Sequence, residues 1–127
     1  MTAIAVAHSD HAPKASGPYS QAMVVGNLVY TAGQIPLDPA SMEVVTGSIK
    51  QQTTRVLANL RAVLRAAGSD LDRVVKTTVF LVDLGDYDGL NEAYAQAFGD
   101  HKPARSTVVV AGLARGVRVE IEAVAVT

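Results

Sequence analysis

The 127-residue chain contains no cysteine and no tryptophan. Without cysteine there is no disulfide, no thiolate nucleophile and no Cys-based metal site, which fits a reducing cytoplasm. Aromatic residues make up only 5% of a chain that is 49% hydrophobic, so the core has to be built from Val, Leu, Ile and Ala. An excess of charge of one sign is also missing. Eleven Lys and Arg stand against twelve Asp and Glu, a net charge of −1, with no charge block. That is not the electrostatic footprint of a nucleic-acid-binding protein. No uncharged apolar segment approaches ~18 residues, so no membrane span is expected. The opening MTAIAVAHSD has no positive region and too short an apolar run for a signal peptide. No phosphate-binding glycine loop, GxGxxG or GxSxG is present.

The length suggests one domain over residues 1–127. A short apolar start, Ile4 to Ala7, leads into a loop, HSDHAPKASGP. AMVVGNLVYTAG then reads as a β-hairpin about Gly26-Asn27. The next stretch, QIPLDPASMEVVTG, is rich in Pro, Asp and Gly and reads as a long connection. Ser48 with Gln51 three residues on is a capping-box pattern. Val56, Leu57, Leu60, Val63, Leu64 and Ala67 then fall on one helical face, and Gly68 marks the stop. In VVKTTVFLV, residues 74–82, both alternating sets contain apolar side chains. Val75, Val79 and Leu81 form one, and Val74, Phe80 and Val82 the other, the pattern of a strand buried on both faces. Asp86 is a candidate N-cap for a second helix with the stripe Tyr87, Leu90, Tyr94 and Phe98. Two strands, about 105–111 and 117–126, close the chain. The order β, ββ, α, β, α, ββ gives two helices to cover one sheet face. A strand that wants cover on both then predicts a homo-oligomer.

The run KPARSTVVV poses the chemical question, because it opens a strand with an arginine, which is costly to bury alone. In VRVEIEAVA, Arg118, Glu120 and Glu122 alternate with Val117, Val119, Ile121 and Ala123. If residues 112–115 form the loop of a closing hairpin, Ala111 faces Gly116. Arg105 then shares a side with Glu120 and Glu122, and Val108, Val110, Val119 and Ile121 share the core side. Arg105 is either one half of a structural ion pair across the sheet or an anion site. In the second case its fork takes a carboxylate in two hydrogen bonds and a nearby glutamate handles a water or a proton.

Other candidates are weaker singly. Tyr19 follows a Gly-Pro turn and is either a packing residue or a pocket wall. Gly33 ends a strand, where backbone amides approach a ligand closely or simply turn the chain. Asn91 lies beside the apolar stripe of the second helix, facing solvent or bonding inside. His8, Asp10 and His11 lack a third or fourth ligand at a recognisable spacing, so no metal is expected. His101 reads as a surface loop residue.

Six segments, GPYSQA, TAGQIPLDP, RVLANLRAVLRAAGSDLDRVVKTTVFLVDL, NEAYAQAF, PARSTV and VEIEAVAV, occur in this order and spacing. Together, from about Pro13 to Thr127, the chain resembles the RidA family of reactive-intermediate (imine) deaminases. The resemblance implies an α+β, chorismate-mutase-like fold, with two helices on one face of a six-stranded mixed sheet. It implies that the sheets of three subunits join into a central barrel with sites in the clefts between them. The implied reaction is cofactor-free hydrolysis of 2-imino acids and their enamine tautomers, such as 2-aminoacrylate, to 2-oxo acids and ammonia.

Position by position, Arg105 matches the arginine that clamps the substrate carboxylate. Glu120 matches the glutamate that helps hold and activate water, with the backbone carbonyl at Thr107 sharing that water. Tyr19 matches a pocket tyrosine, Gly33 the glycine whose backbone lies beside the substrate, and Asn91 an asparagine supporting the cleft. The chain departs from the pattern at Ala32, where many members have serine, and at Thr107, where many have cysteine. Ala114 replaces a common proline. The alternatives to an imine deaminase are a non-catalytic module that binds small carboxylates, and an RNA-acting translation inhibitor. A chaperone-like surface is a further alternative.

Overall fold

The structure, a computed structural model, describes residues 1–127. Its strands are β1 (Ile4–Ala7), β2 (Ala22–Val25), β3 (Leu28–Thr31), β4 (Val74–Leu81), β5 (Ala104–Val109) and β6 (Val119–Val126). Its helices are α1 (Ile49–Ala66) and α2 (Tyr87–Phe98). The strands form one six-stranded mixed sheet in the order β1-β2-β3-β6-β4-β5. All pairings are antiparallel except β4 with β5, the crossover carried by α2. Two helices on a six-stranded sheet are as expected. No helix is long and apolar enough to cross a membrane.

Local chemistry sets α1. Ser48 Oγ accepts from Gln51 N at 3.2 Å, and Gln51 Oε1 accepts from Ser48 N at 2.8 Å, the expected capping box. Gly68, at φ +84°, ends the helix. Gly68 N donates to Arg65 O and Ser69 N to Leu64 O, satisfying two terminal carbonyls. Val56, Leu57, Leu60, Val63 and Leu64 of α1, with Leu90, Tyr94 and Phe98 of α2, pack on Val29, Val79, Leu81, Val119, Ile121 and Ala125 of the sheet. The long connection 34–47 is tied down by two buried amides of α1. Asn59 Nδ2 donates to the carbonyls of Ile35 and Leu37, and Gln52 Nε2 donates to Val45 O.

Three expectations are corrected. First, β5 and β6 are not a hairpin. The segment 110–118 passes the end of β4, so β6 lies between β3 and β4 while β5 pairs parallel with β4 at the sheet edge. Alternation marks which face a residue takes but not which strand is its neighbour. The turn is also longer than residues 112–115, with Arg115 in the left-handed region at φ 60°.

Second, a β-bulge at Val75 shifts the phase of β4. Val74 pairs with Ala125 and is fully buried, and the next paired residue is Lys76 with Val124. Val75 is 47% exposed, and Val74 belongs with Val79 and Leu81 on the inner face. One face of β4 is buried in the chain itself. Its other face, carrying Lys76, Thr78 and Phe80, is only half-covered.

Third, Asp86 precedes α2 as expected, but its side chain makes no cap bond. Its buried carboxylate instead takes two hydrogen bonds from the Arg118 guanidinium, one at 3.1 Å to Nε. Asp83, three residues earlier, accepts from Gly85 N.

Candidate active site

The register places Arg105 and Glu120 on opposite faces of the sheet. Arg105 aligns with Thr77 and Ala123, so it points to the helical side. Glu120 aligns with Phe80 and Glu122 with Thr78, so both point to the open side, along with Val108. The expected union of Arg105 with Glu120 and Glu122 on one side is therefore overturned, as is a core face shared by Val108 with Val119 and Ile121. The hairpin assumption produced both. With β4 inserted, odd positions of β5 share a face with odd positions of β6.

The candidate residues fall into two clusters. The first surrounds Arg105, which is half-buried on the inner face of edge strand β5. Its Cζ lies 4.8 Å from the ring centroid of Tyr94 and 5.7 Å from that of Tyr87, and its Nη2 donates to Tyr87 Oη at 3.2 Å. No carboxylate lies within ion-pair distance of it. Tyr94 is anchored by a 2.7 Å hydrogen bond between its hydroxyl and Thr77 Oγ1, and Thr77 is fully buried. Burial pushes the Tyr94 phenol pKa up, against smaller lowering effects from Thr77 and the Arg105 charge. Asn91 is half-buried and lies between the two tyrosines at helical spacing, so it shares their side of α2. Thr107 follows Arg105 on the same face, and its Oγ1 is buried without a hydrogen-bond partner.

The second cluster sits where β3 leaves the sheet. Thr31 Oγ1 accepts from Ala123 N at 3.0 Å in place of a backbone partner, and pairing resumes at Gln34 with Ile121. Between them, Ala32 N donates to Gln21 O, and Gly33 comes against Glu120. A Cβ at position 33 would fall on Glu120 Oε2 and within 2.8 Å of its Cδ. Burial raises the Glu120 pKa, and the neighbouring Glu122 charge raises it further. Tyr19 is exposed and shares with Gly33 a cavity of about 190 Å³, whose lining includes Gln21, Ile35 and Arg115. Buried Gln21 bonds the backbone of Ser9 and Pro13, fixing the loop before Tyr19.

A larger groove of about 900 Å³, along α1, α2 and residues 8–11, contains no residue of either cluster. Its Arg61 and Arg65 are paired with Asp70, and its His8 with Asp10. No group of three or more His, Asp or Glu stands close enough together to hold a metal. His101 is not the free surface residue expected from its loop. It is half-buried, and its Nε2 lies 2.6 Å from Val74 O.

Sequence reasoning missed Tyr87 and Tyr94 as neighbours of Arg105, because both fit an apolar helix stripe. The signal lay in their hydroxyls, which have to find partners at a half-buried boundary.

A family model described as Endoribonuclease L-PSP, the YjgF/RidA family, matches residues 9–127. Over 122 residues the chain is 54% identical to protein DfrA of Myxococcus xanthus, covering 94% of this chain and 93% of that one. It is 47% identical over 115 residues to the human 2-iminobutanoate/2-iminopropanoate deaminase, covering 91% and 84%. The solved structure of Escherichia coli TdcF with bound serine superposes with a TM-score of 0.93 at 40% identity, covering 97% and 99%. The fold is thus that of the Rid proteins. The chain belongs to the RidA family.

Proposed function

We propose that this chain is a cytoplasmic imine/enamine deaminase that hydrolyses small 2-imino acids, 2-aminoacrylate among them, to 2-oxo acids and ammonia. The observation that carries the reading is Arg105: a half-buried guanidinium in contact with two tyrosines and paired with no acid of its own chain. Such a group is suited to a small carboxylate. The human relative's name and the serine held by the Escherichia coli protein point to the same substrate class.

Arg105 and Glu120 lie on opposite faces of one sheet, so a site using both draws them from two copies. The open face carries exposed or half-buried Ile4, Val6, Tyr30, Phe80 and Val108, an apolar surface suited to a second subunit. We place the site between neighbours of a homotrimer, with Arg105 from one subunit and Tyr19, Gly33 and Glu120 from the next. Asn91 and Thr107 support the arginine side, and Ala32 lines the glutamate side.

The chemistry needs little beyond orientation. The Arg105 fork holds the carboxylate, presenting C2 of a protonated imine. Glu120 holds a water, which adds to C2 as its proton passes to the carboxylate. The resulting carbinolamine takes that proton on nitrogen, the C–N bond breaks as the new hydroxyl gives its proton to the freed Glu120 carboxylate, and the 2-oxo acid and ammonia, which carries that proton away as ammonium, leave. Ala32 offers no hydroxyl to the nitrogen, so this scheme rests on Glu120 alone.

The test is to generate 2-imino acids with an amino-acid oxidase and trap them with semicarbazide. The protein is expected to suppress trapping. Unaltered trapping across small, aliphatic and aromatic imino acids would leave a carboxylate-binding module instead. RNA cleavage or binding at physiological salt would favour the RNA-acting alternative.

The raised pKa of Glu120 gives a second expectation. The carboxylate has to be ionised to take a proton, so activity falls at low pH through a pKa above the ordinary glutamate value. The linked stability runs the other way. It is present in full below the ordinary value of about 4.3 and lost as pH rises through the raised one. Glu122→Gln removes the like charge but not the burial. It should move the acid limb of the kcat/KM profile to lower pH without returning it to the ordinary value.

A further inference from the structure

Resting on that reading, we infer that the Tyr87 hydroxyl is a positioning group. It orients the Arg105 guanidinium for a ligand carboxylate without neutralising it. A guanidinium on an edge strand is ordinarily fixed by an acid, which would also cancel the charge a ligand needs. Within its own chain no acid is in reach. The floor under the fork is the Tyr94 ring, itself held by the Thr77 hydrogen bond and by stacking on Phe98 at 4.5 Å between centroids. That floor fixes the plane of the guanidinium but not its rotation within the plane. The one directional contact is Tyr87 Oη, accepting from Nη2. A neutral phenol oxygen takes one N–H and leaves the remaining donors and the whole positive charge for an anion.

Tyr87 is the first residue of α2, at the top of the crossover that leads from β4 to β5. Its place is therefore set by the same helix that carries Tyr94. The Asp86–Arg118 contact fixes the residue immediately before it. The hydroxyl thus has a rigid mount on the helical side, while 38% of the residue remains exposed at the mouth of the cluster.

The test compares wild type, Tyr87→Phe and Tyr87→Glu. Steady-state rates are measured with oxidase-generated imino acids, 2-oxobutanoate binding by calorimetry, and the arginine side-chain N–H signals by ¹⁵N NMR. Tyr87→Phe keeps the ring and should raise KM and weaken 2-oxobutanoate binding by about 3–10-fold, the worth of one hydrogen bond, with kcat little changed. The Arg105 Nη signals should be resolved in wild type by the hydrogen bond and collapse by rotation in Tyr87→Phe. Tyr87→Glu, well tolerated at a helix N-terminus, should fix the fork and yet abolish 2-oxobutanoate binding, because it cancels the charge.

Unchanged KM and binding in Tyr87→Phe would overturn the inference. So would weaker binding with unchanged Arg105 signals, since the hydroxyl would then be touching the ligand directly. A Tyr87→Glu variant that still binds 2-oxobutanoate at wild-type affinity would overturn the charge argument. If wild type neither binds nor turns over any of these acids while the Arg105 signals still collapse in Tyr87→Phe, the positioning stands and the deaminase reading falls.

Discussion

Arg105→Ala is expected to lower kcat/KM for a 2-imino acid by about 10²–10⁴-fold while the chain stays folded. Two charge-assisted hydrogen bonds from one fork to a carboxylate contribute roughly 1.5–3 kcal/mol each. Each 1.4 kcal/mol is about tenfold in rate. Tolerance of the loss follows from what Arg105 touches. It has no acid partner whose charge would be stranded, only the Tyr87 hydroxyl and the Tyr94 ring. An exposed cation–π contact contributes about 0.5–1 kcal/mol, so melting should shift by a few degrees at most. Arg105→Lys should recover little, because an ammonium has no planar fork. Rates, melting and molecular mass in solution, measured together, decide the matter. A variant that dissociates or unfolds assigns Arg105 to the scaffold and removes the anion site.

Most of the fold was legible because α1, α2 and β6 carry their own periodicity. Ser48, Gln51 and Gly68 mark the bounds of α1 chemically, and the Val119–Ile121–Ala123 alternation marks the inner face of β6. What was not legible is long-range. The bulge at Val75 is one extra residue in an apolar run, and either phase of VVKTTVFLV looks buried. The insertion of β6 between β3 and β4 depends on where a nine-residue turn travels, which no local pattern encodes.

That topology decided the site. Arg105, Glu120, Tyr19, Gly33 and Asn91 could each be singled out as residues, but their division between two faces and two clusters could not. The division changes the meaning of Arg105. On one face with Glu120 it would be an ion pair. Facing α2 without an acid, it is an unneutralised cation set among tyrosines.

Gly33→Ala is expected to reproduce the loss caused by Glu120→Gln. The backbone at Gly33 lies outside the left-handed region, so alanine itself is not strained there. What obstructs a Cβ is the Glu120 carboxylate, the mobile end of a side chain. The methyl group should therefore displace the carboxylate rather than the strand. Loss of a positioned general base is worth about 10²–10⁴-fold, and both single variants should fall in that range with their secondary structure intact. The double variant should be no slower than either single one, because two changes that remove the same group do not add. Stability separates them further. Glu120 is held in a place that raises its pKa, so pushing the carboxylate toward water at neutral pH removes an unfavourable burial, and Gly33→Ala should melt no lower than wild type. If Gly33→Ala costs its full factor again on top of Glu120→Gln, the glycine is acting through the close approach of its own backbone to the substrate. The small residue at position 33 would then exist for the ligand, and its contact with Glu120 would be incidental.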